Sequence, residues 1–309
     1  MSTVAFLFPG QGSQEVGMGR QAYQADARAR AVFEEAEARL GFPLTALCFE
    51  GPEAELQRTE QAQPALLTAS CALLALLGEA VRPAWCAGHS LGEYTALVAA
   101  GALDFGEAVA LVRRRGELMQ AAAAAQPGAM SAILKLSDET VIEICARAGQ
   151  GEVLQPANFN APGQVVISGT LPAVARAEQQ AAERGGRAWR LKVSGAFHSA
   201  LMAPAAEGLR QVLTEVPLRE AAVPVVANVN AAPMRDAETI RRNLAAQVVQ
   251  SVQWAASIRW MADQGVDTFV EIGPGQVLTG LLKRIQPHAR GFNVRDPATA
   301  EAFLAAMAA

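Results

Sequence analysis

Charge is scarce in this chain. Of its 309 residues only 18% are Asp, Glu, Lys or Arg, and the net charge is −4. A general nucleic-acid binder needs a basic surplus, so that class is excluded, and any acidic partner must be met by a local basic patch. Cysteine is sparse too: Cys48, Cys71, Cys86 and Cys145 show neither a CxxC nor a Cys/His spacing. No metal site and no disulfide framework is expected from them, and they read as buried free thiols in a reducing cytoplasm. The longest apolar stretch, "PALLTASCALLALLG" at 64–78, is interrupted by polar residues and too short to span a bilayer. The N-terminus lacks the basic n-region of a signal peptide. A cytoplasmic protein without a membrane segment is the expectation.

Against these shortages stands a hydrophobic content of 51%, enough to bury a sizeable core. The length favours one large domain with a smaller one inserted. "TVAFLFPGQG" predicts a buried strand ending in a glycine turn, and helical spacing follows at 18–39 and 63–79. "RPAWCAGHS" is strand into turn, "LGEYTALVAAG" is helix, and the D-x-x-E box at Asp104 and Glu107 starts another helix. Strand and helix alternate as in a parallel sheet covered on both faces. Between residues 126 and 194 the pattern becomes βαββαβ, which predicts an inserted ferredoxin-like subdomain. The parallel pattern resumes at "VPVVANV", "VDTFVEIGPG" and "QVLTGLLKRI".

Ser90 lies between Gly88 and Gly92 in "AGHSLGEY", a G-x-S-x-G at a strand-to-helix junction. A turn that sharp presents the hydroxyl, and aims the N–H of Leu91 where a carbonyl oxygen would become negative. An ordinary helix cap is the plainer reading, and only a base decides between them. Three histidines are available. His89 adjoins the serine and points elsewhere, and His288 falls in a polar stretch. His198, in "GAFHSALM" between a strand end and a helix, remains as the base, with a buried structural histidine as its alternative. No orienting carboxylate is evident. Glu93, Asp104, Glu107, Glu117, Asp138 and Glu139 read as helix starts or outward faces, so a serine–histidine dyad with a neutral acceptor is expected.

The helix from Asp104 carries an apolar stripe of Ala108, Leu111, Val112, Leu118, Met119 and Ala122, and Arg115 falls on it. Arg113 and Arg114 are rotated off that stripe by roughly 200° and 100°. A buried guanidinium keeps its proton and must be paired. Its partner is either an internal carboxylate or the carboxylate of a ligand. "PGQGSQEVGMG" at 9–19 departs from G-x-G-x-x-G at Glu15, and no G-K-[ST] follows, so no nucleotide cradle is expected. The turn instead places the N–H of Gln11 near the nucleophile as a second oxyanion donor.

Seven segments, "FPGQGSQ", "GHSLGEY", "RRGELMQ", "ANFNAPGQVVISG", "GAFHSALM", "VQW" and "EIGPGQVLTGL", occur in an order that resembles the malonyl-CoA:acyl-carrier-protein transacylases over essentially the whole chain. The resemblance implies an α/β-hydrolase-like core from residues 1–125 and 195–309, with the ferredoxin-like insertion at 126–194. It implies Ser90 as acylated nucleophile, His198 as base and acid, and the N–H groups of Gln11 and Leu91 as oxyanion hole. It further implies the carbonyl of Gln253 orienting the imidazole and Arg115 holding the malonyl carboxylate. Asn158, Asn160, His89, Met119 and Phe197 match positions near the pocket, with Phe197 leaving little room for a branched acyl group. The implied partners are coenzyme A thioesters and acyl-carrier protein, docked on basic residues among Arg113, Arg114, Arg187, Arg190, Lys192, Lys283 and Arg284. No metal or redox cofactor is implied, and a monomer is expected. A polyketide acyltransferase, a serine hydrolase on the same fold and a catalytically silent scaffold are the rival readings.

Overall fold

A computed structural model describes residues 2–308. In chain order the first part comprises β1 (Val4–Phe8), α1 (Arg20–Ala25), α2 (Ala27–Leu40), α3 (Leu44–Glu50), α4 (Glu53–Leu56), α5 (Thr59–Leu77), β2 (Trp85–Gly88), α6 (Gly92–Ala99) and α7 (Phe105–Ala125). A second group follows: β3 (Gly128–Leu134), α8 (Asp138–Gly149), β4 (Leu154–Ala161), β5 (Gln164–Thr170), α9 (Leu171–Glu183) and β6 (Arg187–Arg190). The chain ends with α10 (Ala203–Glu215), β7 (Val225–Val226), β8 (Pro233–Met234), α11 (Ala237–Gln247), α12 (Trp254–Asp263), β9 (Thr268–Ile272), α13 (Val277–Ile285), β10 (Arg290–Val294) and α14 (Pro297–Ala308).

The result is a mixed α/β architecture built on two sheets. The larger runs β10-β9-β1-β2-β7-β8 and is parallel except where β8 joins β7. β1 is buried along its whole length because both faces are covered. Val4, Phe6 and Phe8 enter a cluster with Phe33, Leu66 and Leu97 from α2, α5 and α6. Ala5 and Leu7, alternating with them, enter another with Trp254, Ile258 and Leu282 from α12 and α13. The smaller sheet is antiparallel, ordered β4-β5-β3-β6, and α8 and α9 pack on it around Ile133, Val165 and Ile167. β6 is its exposed edge.

The chain punctuates itself largely as its residues dictate. Asp104 accepts the N–H groups of Gly106 and Glu107 to start α7. The helical stretch at 18–39 breaks into α1 and α2 because Asp26 leaves helical geometry and caps the second helix by accepting Arg28 N–H. α5 begins at Thr59, before Pro64, which sits inside the helix. Pro64 has no N–H to give the Glu60 carbonyl. The Arg113 Nη1–H of α7 takes that oxygen instead, at 3.1 Å. The strand expected over "VPVVANV" shrinks to Val225–Val226. β10 has only a half-buried face at the sheet edge, so its sequence shows no apolar run.

Candidate active site

The larger sheet delivers the candidate nucleophile. β2 ends at Gly88, α6 starts at Gly92, and Ser90 stands between them with φ 50°, a left-handed conformation that serine seldom adopts. Both glycines are there because nothing larger fits. A Cβ on Gly88 would overlap the Gly92 backbone, and a Cβ on Gly92 would overlap the Phe8 carbonyl at the end of β1. The turn is tied from behind by Asn228, whose Oδ1 accepts the Ser90 N–H at 2.7 Å while its Nδ2 donates to the Gly88 carbonyl at 2.7 Å.

His198 lies in the loop after β6, also left-handed with φ 55°. Its Nε2 is 2.8 Å from Ser90 Oγ. Its Nδ1 donates to the Gln247 carbonyl at 2.8 Å and to that of Gln250 at 3.2 Å, which puts the ring proton on Nδ1 and leaves Nε2 as acceptor toward the serine. Burial, and then the nearby positive charge of Arg115, pull the imidazole down to about 3, so it is neutral at physiological pH and free to take a proton.

The acceptor was expected at Gln253, and this is corrected. Gln253 caps α12, where its carbonyl accepts the Ser257 N–H at 2.9 Å and the Ser257 hydroxyl at 3.0 Å, so it is spent on the helix. The turn that closes α11, residues 247–250, passes the imidazole instead.

Arg115 is 1% exposed and sits on the inner face of α7 as the stripe predicts. Its partners are neutral. Nη1 donates to Gln63 Oε1 at 2.8 Å, and Nη2 donates to Gln247 Oε1 at 3.0 Å and to Ser90 Oγ at 3.2 Å. The guanidinium also lies 5.3 Å over the Tyr94 ring. Nε has no partner among the described residues. A fixed cation therefore stands beside the serine with unfilled donor capacity.

Ser90, His198, Arg115, Gln11, Leu91, His89, Met119, Phe197 and Asn158 all line one cavity of about 400 Å³ between the two sheets. Among the described residues, the N–H groups of Gln11 and Leu91 donate to no backbone carbonyl. Met130, Trp189, Leu191 and Lys192 join from the smaller sheet and the segment after it. Asn160 departs from its expected place in the lining, because its Oδ1 sits 2.8 Å from His89 Nε2 and holds that ring. Burial keeps His89 below the usual histidine range.

Three residues escaped the reading of the sequence. Glu93, expected at a helix start or on an outward face, is at a helix start, in the first turn of α6, and is fully buried there. Asn228 stands two residues past the buried end of β7. Gln247 lies on the buried face of α11 with Ile240, Asn243 and Leu244, an i, i+3, i+4, i+7 spacing. A polar residue on an apolar stripe was the signal, the same one that exposed Arg115.

No three His, Cys, Asp or Glu side chains among the described residues cluster as metal ligands. No helix of the described residues is long and apolar enough to cross a membrane.

Residues 5–296 match the family described as acyl transferase domain. The chain is 47% identical over 304 residues to the malonyl CoA-acyl carrier protein transacylase of Bacillus subtilis, covering 97% of this chain and 96% of that protein. The acyl carrier protein S-malonyltransferase of Vibrio cholerae superposes with a TM-score of 0.95 at 45% identity, covering 98% of this chain and 100% of that one. A malonyl-transacylase in complex with its type II PKS acyl-carrier protein superposes at 0.96 and 43% identity, over 99% of this chain and 100% of that one. With a serine, an imidazole and a buried cation meeting in one cavity, the chain belongs to the acyl transferase domain family, among the malonyl CoA-acyl carrier protein transacylases.

Proposed function

We propose that the protein transfers a malonyl group from malonyl-CoA to the phosphopantetheine thiol of acyl-carrier protein, through a malonyl ester of Ser90, and so supplies extender units for fatty-acid synthesis. The observation that carries this is Arg115, a buried cation with only neutral partners, 3.2 Å from the Ser90 oxygen. A guanidinium in that position binds a carboxylate two carbons from a reacting carbonyl in bidentate fashion.

The transfer runs in two half-reactions. His198 Nε2 takes the serine proton as Oγ attacks the thioester carbonyl. The N–H groups of Gln11 and Leu91 receive the developing oxyanion, aided by the N-terminus of α6. The tetrahedral species collapses, His198 returns the proton to the departing coenzyme A thiolate, and the malonyl ester remains. The pantetheine thiol of the carrier then gives its proton to His198 and attacks the ester; the Ser90 Oγ–acyl bond breaks, His198 returns the proton to Oγ, and the malonyl group leaves as the carrier thioester. Nucleophile, base and oxyanion donors suffice for acyl exchange between an alcohol and thiols, so no cofactor takes part.

The finer architecture belongs to the same reading. Residues 1–125 and 195–309 form an α/β-hydrolase-like core, and 126–194 an inserted ferredoxin-like subdomain; the order β4-β5-β3-β6 and the βαββαβ sequence support this. The protein works as a cytoplasmic monomer that meets its carrier transiently.

Intact mass measurement after brief exposure to malonyl-CoA tests the function. A malonyl adduct on Ser90, discharged by holo acyl-carrier protein, is expected. An unmodified serine overturns the proposal, and release of free malonate in place of discharge makes the protein a hydrolase.

A further inference from the structure

Glu93 is the acid buried deepest beside the nucleophile, and neither half-reaction above uses it. Its Oε2 accepts the Gln247 Nε2–H at 2.7 Å and the Asn228 N–H at 3.2 Å. Its Oε1 has no partner among the described residues. Gln247 turns the other end of the same amide to Arg115 Nη2, at 3.0 Å. One carboxamide thus links a buried carboxyl to a buried guanidinium, and the Gln247 carbonyl also holds His198.

We propose that Glu93 is the resident counter-charge of Arg115 and acts as a specificity-determining positioning residue: when the carboxylate of an acyl group arrives on Arg115, Glu93 gives up that role by accepting a proton from solvent. This deepens the malonyl reading and rests on it. A site holding one guanidinium and one carboxylate is neutral overall, and a second carboxylate would leave an uncompensated negative charge beside these buried groups. Protonation of the first restores neutrality.

The surroundings leave Glu93 as the group that responds. Among the elements packed on α6, α7 presents Arg115, and α5 carries Glu60, which is bound to Arg58, and the buried Cys71, whose thiol burial pushes far up. β2 presents the Cys86 thiol, while β1 and β7 present nothing ionisable. Tyr94 adjoins Glu93 on α6, and His198 and His89 lie across Ser90. Burial, opposed by the bonds from Gln247 and Asn228 and by the charge of Arg115, brings the Glu93 carboxyl to about 7. Tyr94 and Cys86 are pushed up to about 12 and His198 down to about 3, well outside that range. His89 is held below its ordinary value. The sign follows: anionic acyl groups bind best below about pH 7, where Glu93 carries its proton, and progressively less well above it.

The test uses malonyl-pantetheine, which bears no phosphate to titrate, with acetyl-pantetheine as neutral control. In the wild type the KM for malonyl-pantetheine is expected to rise by up to about tenfold per pH unit above the Glu93 midpoint, while that for acetyl-pantetheine stays level. Glu93→Gln keeps the shape and the Gln247 bond, removes the charge, and is expected to hold the malonyl KM at its low-pH value throughout. Malonyl profiles that rise equally in both proteins, or that stay level in the wild type while Ser90 still takes up malonyl, overturn the inference and leave the malonyl reading standing. Absence of a malonyl adduct in the wild type removes the malonyl reading itself. Should Glu93→Gln fail to fold, calorimetric titration of Ser90→Ala in buffers of different ionisation enthalpy decides. Uptake of up to about one proton per bound malonyl-pantetheine, and none with acetyl-pantetheine, is expected above the midpoint; no uptake with either overturns it.

Discussion

Arg115 shows what a single side chain contributes here. It is held by two neutral amides and a hydroxyl, so it is already positioned when an anionic acyl group arrives. Arg115→Ala is expected to lower kcat/KM for malonyl-CoA by about 10- to 150-fold, the worth of a hydrogen bond to a charged group, while acetyl transfer falls much less. Equal losses in competition assays would make the arginine structural. Phe197 is 5% exposed and lines the same cavity, and in the malonyl reading it takes the space a branching methyl would need. Phe197→Ala is expected to raise methylmalonyl relative to malonyl transfer by about 10-fold or more, since one methylene in an apolar pocket discriminates by about 1–3 kcal/mol. As the proposed base, His198 is expected to set the acid limit of acylation. Because burial and the charge of Arg115 bring it to about 3, it is deprotonated through the neutral range. Acylation with a neutral acyl donor is therefore expected to stay level as pH falls through the ordinary histidine range; a drop centred there, seen in single-turnover rates, would show an imidazole that titrates normally.

Turns between elements, more than the elements themselves, make the site. β1, β2 and α6 approach so closely at Ser90 that two glycines have no room for a methyl group. Gly92→Ala is expected to push α6 off the end of β1, costing about 1–3 kcal/mol or more and abolishing acylation, measured by thermal denaturation and by adduct formation. Asn228 fixes the same turn from the far side through two bonds of 2.7 Å. Its replacement by Ala leaves the Ser90 N–H and Gly88 carbonyl unpaired, and the expected signature is a lower kcat with little change in KM. The helices and strands around these turns were largely legible from periodicity. The short β7 and the edge strand β10 were not, because two residues or a half-buried face leave no period to read.

The cleft belongs to neither sheet alone. Ser90 and Leu91 come from the turn after β2 of the larger sheet, Arg115 from α7, and Asn158 and Trp189 from the smaller sheet. Of the seven basic residues considered for docking, several are already engaged. Arg190 pairs with Glu178 at 2.7 Å, Arg113 with Glu117 at 2.8 Å, and Arg114 with Glu117 at 3.3 Å. Arg284 bonds the Pro162 carbonyl at 2.6 Å. Lys192 alone among them lines the cavity, close to Trp189, which is 71% exposed. Lys192→Glu is expected to weaken discharge of the malonyl ester by acyl-carrier protein several-fold at low salt and less at high salt, with acylation by malonyl-pantetheine unchanged. A loss independent of ionic strength would count against an electrostatic dock.

Order along the chain was enough to establish the alternation of strand and helix, a change of pattern in its middle section, and a serine on a tight turn. It also marked one arginine on a face where a charge does not belong. These features are local, set by periods of two and 3.6 residues and by what glycine alone tolerates. Which carbonyl would hold the imidazole, that Asn160 would serve His89, and that Glu93 would face inward depended on chain segments 49 to 154 residues apart meeting in space. At those positions one residue's rotation about a helix start or a turn changes the partner, and only packing of the two sheets and their helices selects it.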